Sequence, residues 1–140
     1  MSEMITTKLE FVDGYRFKVG FDVEGVPDLV VDEMKPIGEG LGPNPTRLLS
    51  IAVGHCVSSS LLYCLSKVRV KTKKLETTVK ANIARNKEGY FRIASMDVQI
   101  HLKVDEEDKM RVQRCLSIFE NYCTVTQSVR KGIEVKVDVN

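Results

Sequence analysis

Gly42-Pro43-Asn44-Pro45-Thr46-Arg47-Leu48-Leu49-Ser50-Ile51-Ala52-Val53-Gly54-His55-Cys56 reads as a helix start running into an apolar helix that carries a thiol. Asn44 offers a side-chain oxygen to the first free N–H groups. Pro45 suits the first helical position, where its fixed φ helps and its missing N–H costs nothing. Leu48, Leu49, Ala52, Val53, Cys56, Val57, Ser60, Leu61, Cys64 and Leu65 then recur at helical spacing. Arg47 is almost the only charge between Pro45 and Lys67. A helix of this kind is expected to be buried on most sides, at the centre of a core or of a subunit interface.

Upstream, Leu9-Glu10-Phe11-Val12 and Tyr15 to Val23 flank Asp13-Gly14, a tight-turn dipeptide, and predict a hairpin. Apolar residues at 15, 17, 19, 21 and 23 alternate with Arg16, Lys18 and Asp22, so one face is expected inside. Glu24 to Pro27 makes a second turn, Leu29-Val30-Val31 a short third strand, and Lys35 to Pro45 a Gly/Pro-rich loop.

Downstream, Leu75 to Ala84 and Tyr90 to Val104 predict two long strands joined at Asn86-Lys87-Glu88-Gly89. In the second of them Phe91 and Ile93 are odd, whereas Met96, Val98, Ile100, Leu102 and Val104 are even. Such a phase change calls for a bulge near Ala94 or Ser95. Asp105 to Asp108 places acid at the start of a second helix, where the dipole favours it, with Met110, Cys115, Leu116 and Phe119 as its apolar stripe. A short helix over Thr126 to Lys131, stopped by Gly132, and a last alternating strand from Ile133 to Val139 complete the chain. The expected fold class is α+β, in the order βββ-α-ββ-α-(α)-β, over a single domain spanning residues 1–140.

At 140 residues the chain can build a core without disulfide staples. A net charge of +2 is too small to argue for nucleic acid. Lys67, Arg69, Lys71, Lys73, Lys74 and Lys80 lack interleaved aromatic residues for base stacking, so that stretch reads as a solvated face. No charge-free apolar stretch of about 18 residues is expected, hence no membrane span. Met1 to Met4 lacks the features of a secretory signal. A cytoplasmic protein with free thiols is the expectation. Gly38-Glu39-Gly40-Leu41-Gly42 does not follow a strand in a βαβ unit and so does not read as a phosphate loop. No cofactor or metal motif is present.

The four cysteines carry the remaining chemistry. Cys56 and Cys64 are eight residues apart on one helix. That separates them by about 12 Å along the axis, beyond the ~7 Å Cα spacing of a disulfide. Cys115 and Cys123 face the same objection if their helix is continuous. Any intrachain disulfide must therefore join the first helix to the second helical region. Neither spacing suits zinc, and there is no C-x-x-C. Cys64 and Cys115, beside Leu65 and Leu116, read as core thiols. His55 points about 100° away from Cys56 on the helix and is poorly placed to activate it.

Gly42-Pro43-Asn44-Pro45 with Cys56 eleven residues after the proline, and Cys123-Thr124-Val125-Thr126 later, resembles the osmotically inducible protein C / organic hydroperoxide resistance (OsmC/Ohr) family. That family carries G-x-N-P-E-x-L, a helical cysteine at this spacing, and a late C-P-V-S segment. The resemblance implies an intertwined homodimer with long helices at its centre and active sites at the subunit interface. It implies a peroxidase of organic hydroperoxides, with Cys56 as peroxidatic thiolate and Cys123 as resolving thiol, reduced by an external dithiol. The family's Glu after Asn-Pro, which orients an active-site Arg, is Thr46 here. Arg16 on the hairpin is the candidate cation, with Lys35 a second. The alternative implied by Thr46 is a redox-responsive or small-ligand-binding dimer that is not a peroxidase.

Overall fold

A computed structural model describes residues 2–140 of the chain. Strands β1 (Lys8–Asp13), β2 (Arg16–Gly20) and β3 (Leu29–Val31) precede helix α1 (Pro45–Lys67); β4 (Lys74–Arg85), β5 (Phe91–Lys103), α2 (Lys109–Ile118) and α3 (Thr124–Lys131) follow. This is the expected α+β order except for its last strand. Residues up to Leu49 form one compact unit and Ser50–Asn140 a second.

In the first unit β1, β2 and β3 make an antiparallel sheet in that order. Gly14, at φ +57°, turns the first hairpin, since a left-handed backbone favours glycine. Phe11 faces Phe17 across the pair, ring edge to ring face at 5.9 Å. The predicted run to Val23 stops at Gly20.

The glycine-rich loop after β3 folds around a carboxylate of its own chain. Asp32, at the end of β3, is buried and accepts N–H bonds from Glu33 (2.8 Å), Leu41 (3.1 Å) and Glu39 (3.3 Å). A Cβ on Gly38 would strike Asp32 and the Glu33 backbone, so only glycine lets the loop close. Burial alone would push the Asp32 carboxyl up. The three N–H groups, with the charge of Arg16 added, outweigh that and hold it below the ordinary 3.8. A depressed carboxyl stabilises the fold above its unfolded pKa, and that stability is lost as pH falls through the folded value. Urea midpoints of wild type and Asp32→Asn should therefore differ most at neutral pH and converge as the pH drops below about 4. A gap that stays constant from pH 7 to pH 3 would refute this linkage.

Helix α1 starts as its sequence dictates: the Arg47 N–H bonds Asn44 Oδ1 at 3.1 Å, and Leu48 N–H bonds the Asn44 carbonyl. Two expectations for α1 need correction. Its 19 residues from Leu48 to Ser66 carry no Asp, Glu, Lys or Arg, and by length and composition it could cross a membrane. It is also not buried on most sides. Val53, Gly54, Val57, Ser60, Leu61, Cys64 and Leu65 form one buried face, while Ile51 is 70% exposed. Ser50, His55, Ser58, Ser59, Ser60 and Ser66 leave the helix uncharged without making it apolar all round.

In the second unit that buried face lies on the β4–β5 hairpin and on α2. Gly54 lets the sheet approach: an added Cβ would sit 2.7 Å from Val79 Cγ2. Ser58 Oγ bonds the Gly54 carbonyl at 2.7 Å and meets Thr77 Oγ1 at 2.5 Å, which fixes the helix on β4. Met96, Val98, Ile100 and Leu102 of β5 pack against the same core. The bulge falls where the phase change put it. Asn82 pairs with Ser95 and Ile83 with Ile93, which leaves Ala94 as the extra residue.

Beyond β5 the second helical region differs from expectation. Glu106–Asp108 is a 3-10 turn, α2 ends at Ile118, Phe119–Tyr122 is another 3-10 turn, and α3 begins two residues earlier than predicted. The buried face of the region is Asp108, Val112, Cys115 and Phe119; Met110 is 81% exposed. Arg111 pairs with Asp108 and also donates to the Val68 carbonyl at 2.9 Å, so α2 starts beside the end of α1. The last predicted strand is absent as such. Residues 133–139 pair with neither sheet, and Ile133, Val135, Val137 and Val139 stay 65–88% exposed. An alternating segment becomes a strand only against a free edge, and within the single chain it meets none.

Candidate active site

Helix α1 and the segment from Arg111 to Val125 run antiparallel, and this register decides which thiols meet. Near the end of α1, Val68 meets Arg111. One turn back Cys64 hydrogen-bonds Cys115. Two turns further back, Cys56 Sγ accepts the N–H of Val125 at 3.4 Å and lies close enough to Cys123 for their charges to oppose. The eight-residue spacing on each side thus resolves into two cross-segment pairs, Cys56 with Cys123 and Cys64 with Cys115. All four thiols are free.

The two pairs sit in different surroundings. Cys64 and Cys115 belong to the core with Leu61, Leu65, Val70 and Val112. Burial, followed by the Cys64 hydrogen bond, pushes the Cys115 thiol up to about 12. A thiol held so firmly protonated is a poor nucleophile and an inert neighbour.

Cys123 is not at the end of a continuous helix. It lies at the junction between the 3-10 turn and α3, as the N-terminal cap residue of α3. Its side chain is fully buried, and its thiol donates to the Phe119 carbonyl at 3.8 Å. The Ser60 hydroxyl hydrogen-bonds its sulfur. Burial pushes the Cys123 thiol up; the charges of Cys56 and Glu120 add to this, while Ser60 and Arg130 oppose it. Arg130 is itself held by Glu120 at 2.5 Å.

Cys56 is the only one of the four that is not fully buried. Its sulfur faces the first turn of α3, where N–H groups have no partner inside the helix and the dipole is positive. The described polar contact of that sulfur is the backbone N–H of Val125 and not a cationic side chain. His55, next in sequence, is exposed and makes no described contact with the sulfur. In the first unit Arg16 pairs with Asp13 at 3.2 Å, and its charge reaches Asp32. Among the described residues no three His, Cys, Asp or Glu side chains cluster as a metal site would require.

Over residues 38–138 the sequence matches the family described as OsmC-like protein. The chain belongs to the OsmC-like family. No curated protein sequence matches it. Solved structures share the OsmC-like fold at low identity. An OsmC-like protein of unknown function from Vibrio cholerae superposes with a TM-score of 0.77 at 12% identity, covering 91% of this chain and 94% of that one. An OsmC-like protein from Mycoplasma pneumoniae gives 0.76 at 12% identity, covering 93% and 89%. An organic hydroperoxide resistance protein from Elizabethkingia anophelis gives 0.62 at 22% identity, covering 97% and 94%. Of these three structural relatives, the last is named for organic hydroperoxide resistance and the other two are not.

Proposed function

We propose that this OsmC-like protein is a thiol-dependent peroxidase that reduces organic hydroperoxides through Cys56 and Cys123. One observation carries the reading: the less buried thiol receives an N–H at the start of α3, and a buried, protonated thiol waits beside it. Cys56 attacks the distal peroxide oxygen and becomes a sulfenic acid, releasing the alcohol. Cys123 then closes the disulfide with loss of water, and an external dithiol restores both thiols. Arg16 enters as thiolate-stabilising cation on the family resemblance alone. The alternating segment 133–139, which pairs with no strand of its own chain, supports a homodimer, since a second copy can offer it a sheet edge. Four free thiols suit the reducing cytoplasm.

The test is one equivalent of cumene hydroperoxide added to the reduced protein, followed by mass spectrometry. The expected product is a Cys56–Cys123 disulfide with Cys64 and Cys115 still free. No change in mass, or a disulfide that includes Cys64, would count against the reading. Thr46 in place of the family glutamate favours a second reading, a redox-responsive dimer without turnover. In that case oxidation would occur once and a dithiol would not sustain peroxide consumption.

A further inference from the structure

Buried polar side chains in the second unit have partners, with one exception among the described residues. Asp108 holds the Arg111 guanidinium, and Ser60 bonds the Cys123 sulfur. Thr126 is 7% exposed, and its Oγ1 is sealed from solvent with no hydrogen-bond partner. A buried hydroxyl left unpaired costs stability. A helical threonine ordinarily relieves that cost by bonding back to a carbonyl of the preceding turn. This one does not.

Its position says what it could bond instead. Thr126 is the third residue of α3, three residues after the capping Cys123, and residues three apart on a helix share a face. The residue before it, Val125, donates its N–H to Cys56. Thr126 therefore belongs to the first turn of α3, one residue past the N–H that touches Cys56 and three past Cys123. Around these groups the core is apolar: Val53, Val57, Leu61 and Phe119. The site contains two sulfurs, one N–H on the first, one hydroxyl on the second, and one hydroxyl with nothing to bind.

We infer that Thr126 Oγ1 is the hydrogen-bond partner of the oxygen that Cys56 carries after reaction, and that it acts on that oxygen as it departs. This rests on the hydroperoxide reading above. In the first step an S–O bond forms and the O–O bond breaks. Sulfur loses two electrons, the peroxide gains two, and the alkoxide leaves with a proton as alcohol. In the second, the Cys123 sulfur attacks the Cys56 sulfur, the S–S bond forms and the S–O bond breaks. The oxygen departs as water, with its own hydrogen and the proton of the Cys123 thiol. Negative charge grows on that oxygen as the S–O bond stretches. A hydroxyl already desolvated and without another partner can stabilise that charge without reorganisation. Thr126 is thereby a catalytic residue of the resolving step.

Thr126→Val removes the hydroxyl at nearly constant shape, Thr126→Ser keeps it, and Thr126→Ala repeats the removal without added bulk. Each reduced protein is mixed with one equivalent of cumene hydroperoxide. Sulfenic acid is trapped with dimedone, and disulfide is read by mass spectrometry of quenched samples. Val and Ala variants should form sulfenic acid as fast as wild type but close the disulfide about ten-fold more slowly, the worth of one hydrogen bond. Serine should restore the wild-type rate. The reduced Val variant should melt at the same temperature as wild type or higher, because an unpaired polar group has gone; a merely structural hydroxyl would lower it. Disulfide closure equally fast in wild type and both deletion variants overturns the role of Thr126 alone. Wild type that yields no sulfenic acid overturns the hydroperoxide reading, and this role with it.

Discussion

Cys56→Ser is expected to remove hydroperoxide consumption, by on the order of 10³-fold or more, as loss of a nucleophile does elsewhere. The geometry gives no second sulfur able to substitute. Cys64 lies about 12 Å further along α1. Cys115 is held protonated by burial, and Cys123 is sealed under Phe119 and Ser60. Cys123→Ser should fail differently. It should still consume one equivalent of peroxide and accumulate a trappable sulfenic acid, then stall with dithiol present. Steady-state consumption with a dithiol, compared with single-turnover trapping, separates the two variants. Residual turnover in Cys56→Ser above a tenth of wild type would sink the assignment.

Leu65→Ala should cost about 2–5 kcal/mol, the usual range for truncating a core leucine that cannot be refilled. Leu65 is 0% exposed and packs in the core where α1 faces α2, and its carbonyl accepts the Val70 N–H at 2.9 Å. Neighbours pinned at both ends, by Arg111 on Val68 and by Ser58 on Thr77, have little freedom to collapse into the hole. Ile51→Ala, on the outer face of the same helix, should change stability far less. Urea unfolding at one fixed protein concentration checks both. Equal losses would mean that α1 buries its outer face as well, as it would inside an oligomer.

Most of this fold could be read in advance because local chemistry and tertiary packing agree. Asn44-Pro45 marks the start of α1 by capping alone, and the phase change along β5 exposes the bulge at Ala94. The break after Ile118 was hidden because Phe119-Glu120-Asn121-Tyr122 contains neither glycine nor proline. What breaks the helix is the burial of Phe119 and Cys123 against α1, a tertiary demand that local propensity does not show. The buried stripe of α2 runs through Asp108, Val112, Cys115 and Phe119 and leaves Met110 outside, and its charged first member disguises the helical pattern. The tail 133–139 has strand chemistry but no neighbour to pair with inside its own chain. In the site, spacing required only that any disulfide join the first helix to the second helical region, and the Cys56–Cys123 pair was implied by the family resemblance. The N–H of Val125 and the hydroxyl of Thr126 followed from neither, since both depend on where α3 begins.

The antiparallel register of α1 also equips the molecule with its own clock. Cys56 meets a thiol reagent from the closed state, whereas Cys64 and Cys115 can be labelled only when α1 lifts from α2. In one sample, the rate at the first sulfur times the reagent, and the rate at the inner two times the breathing of the core. The ratio reports how often these helices part.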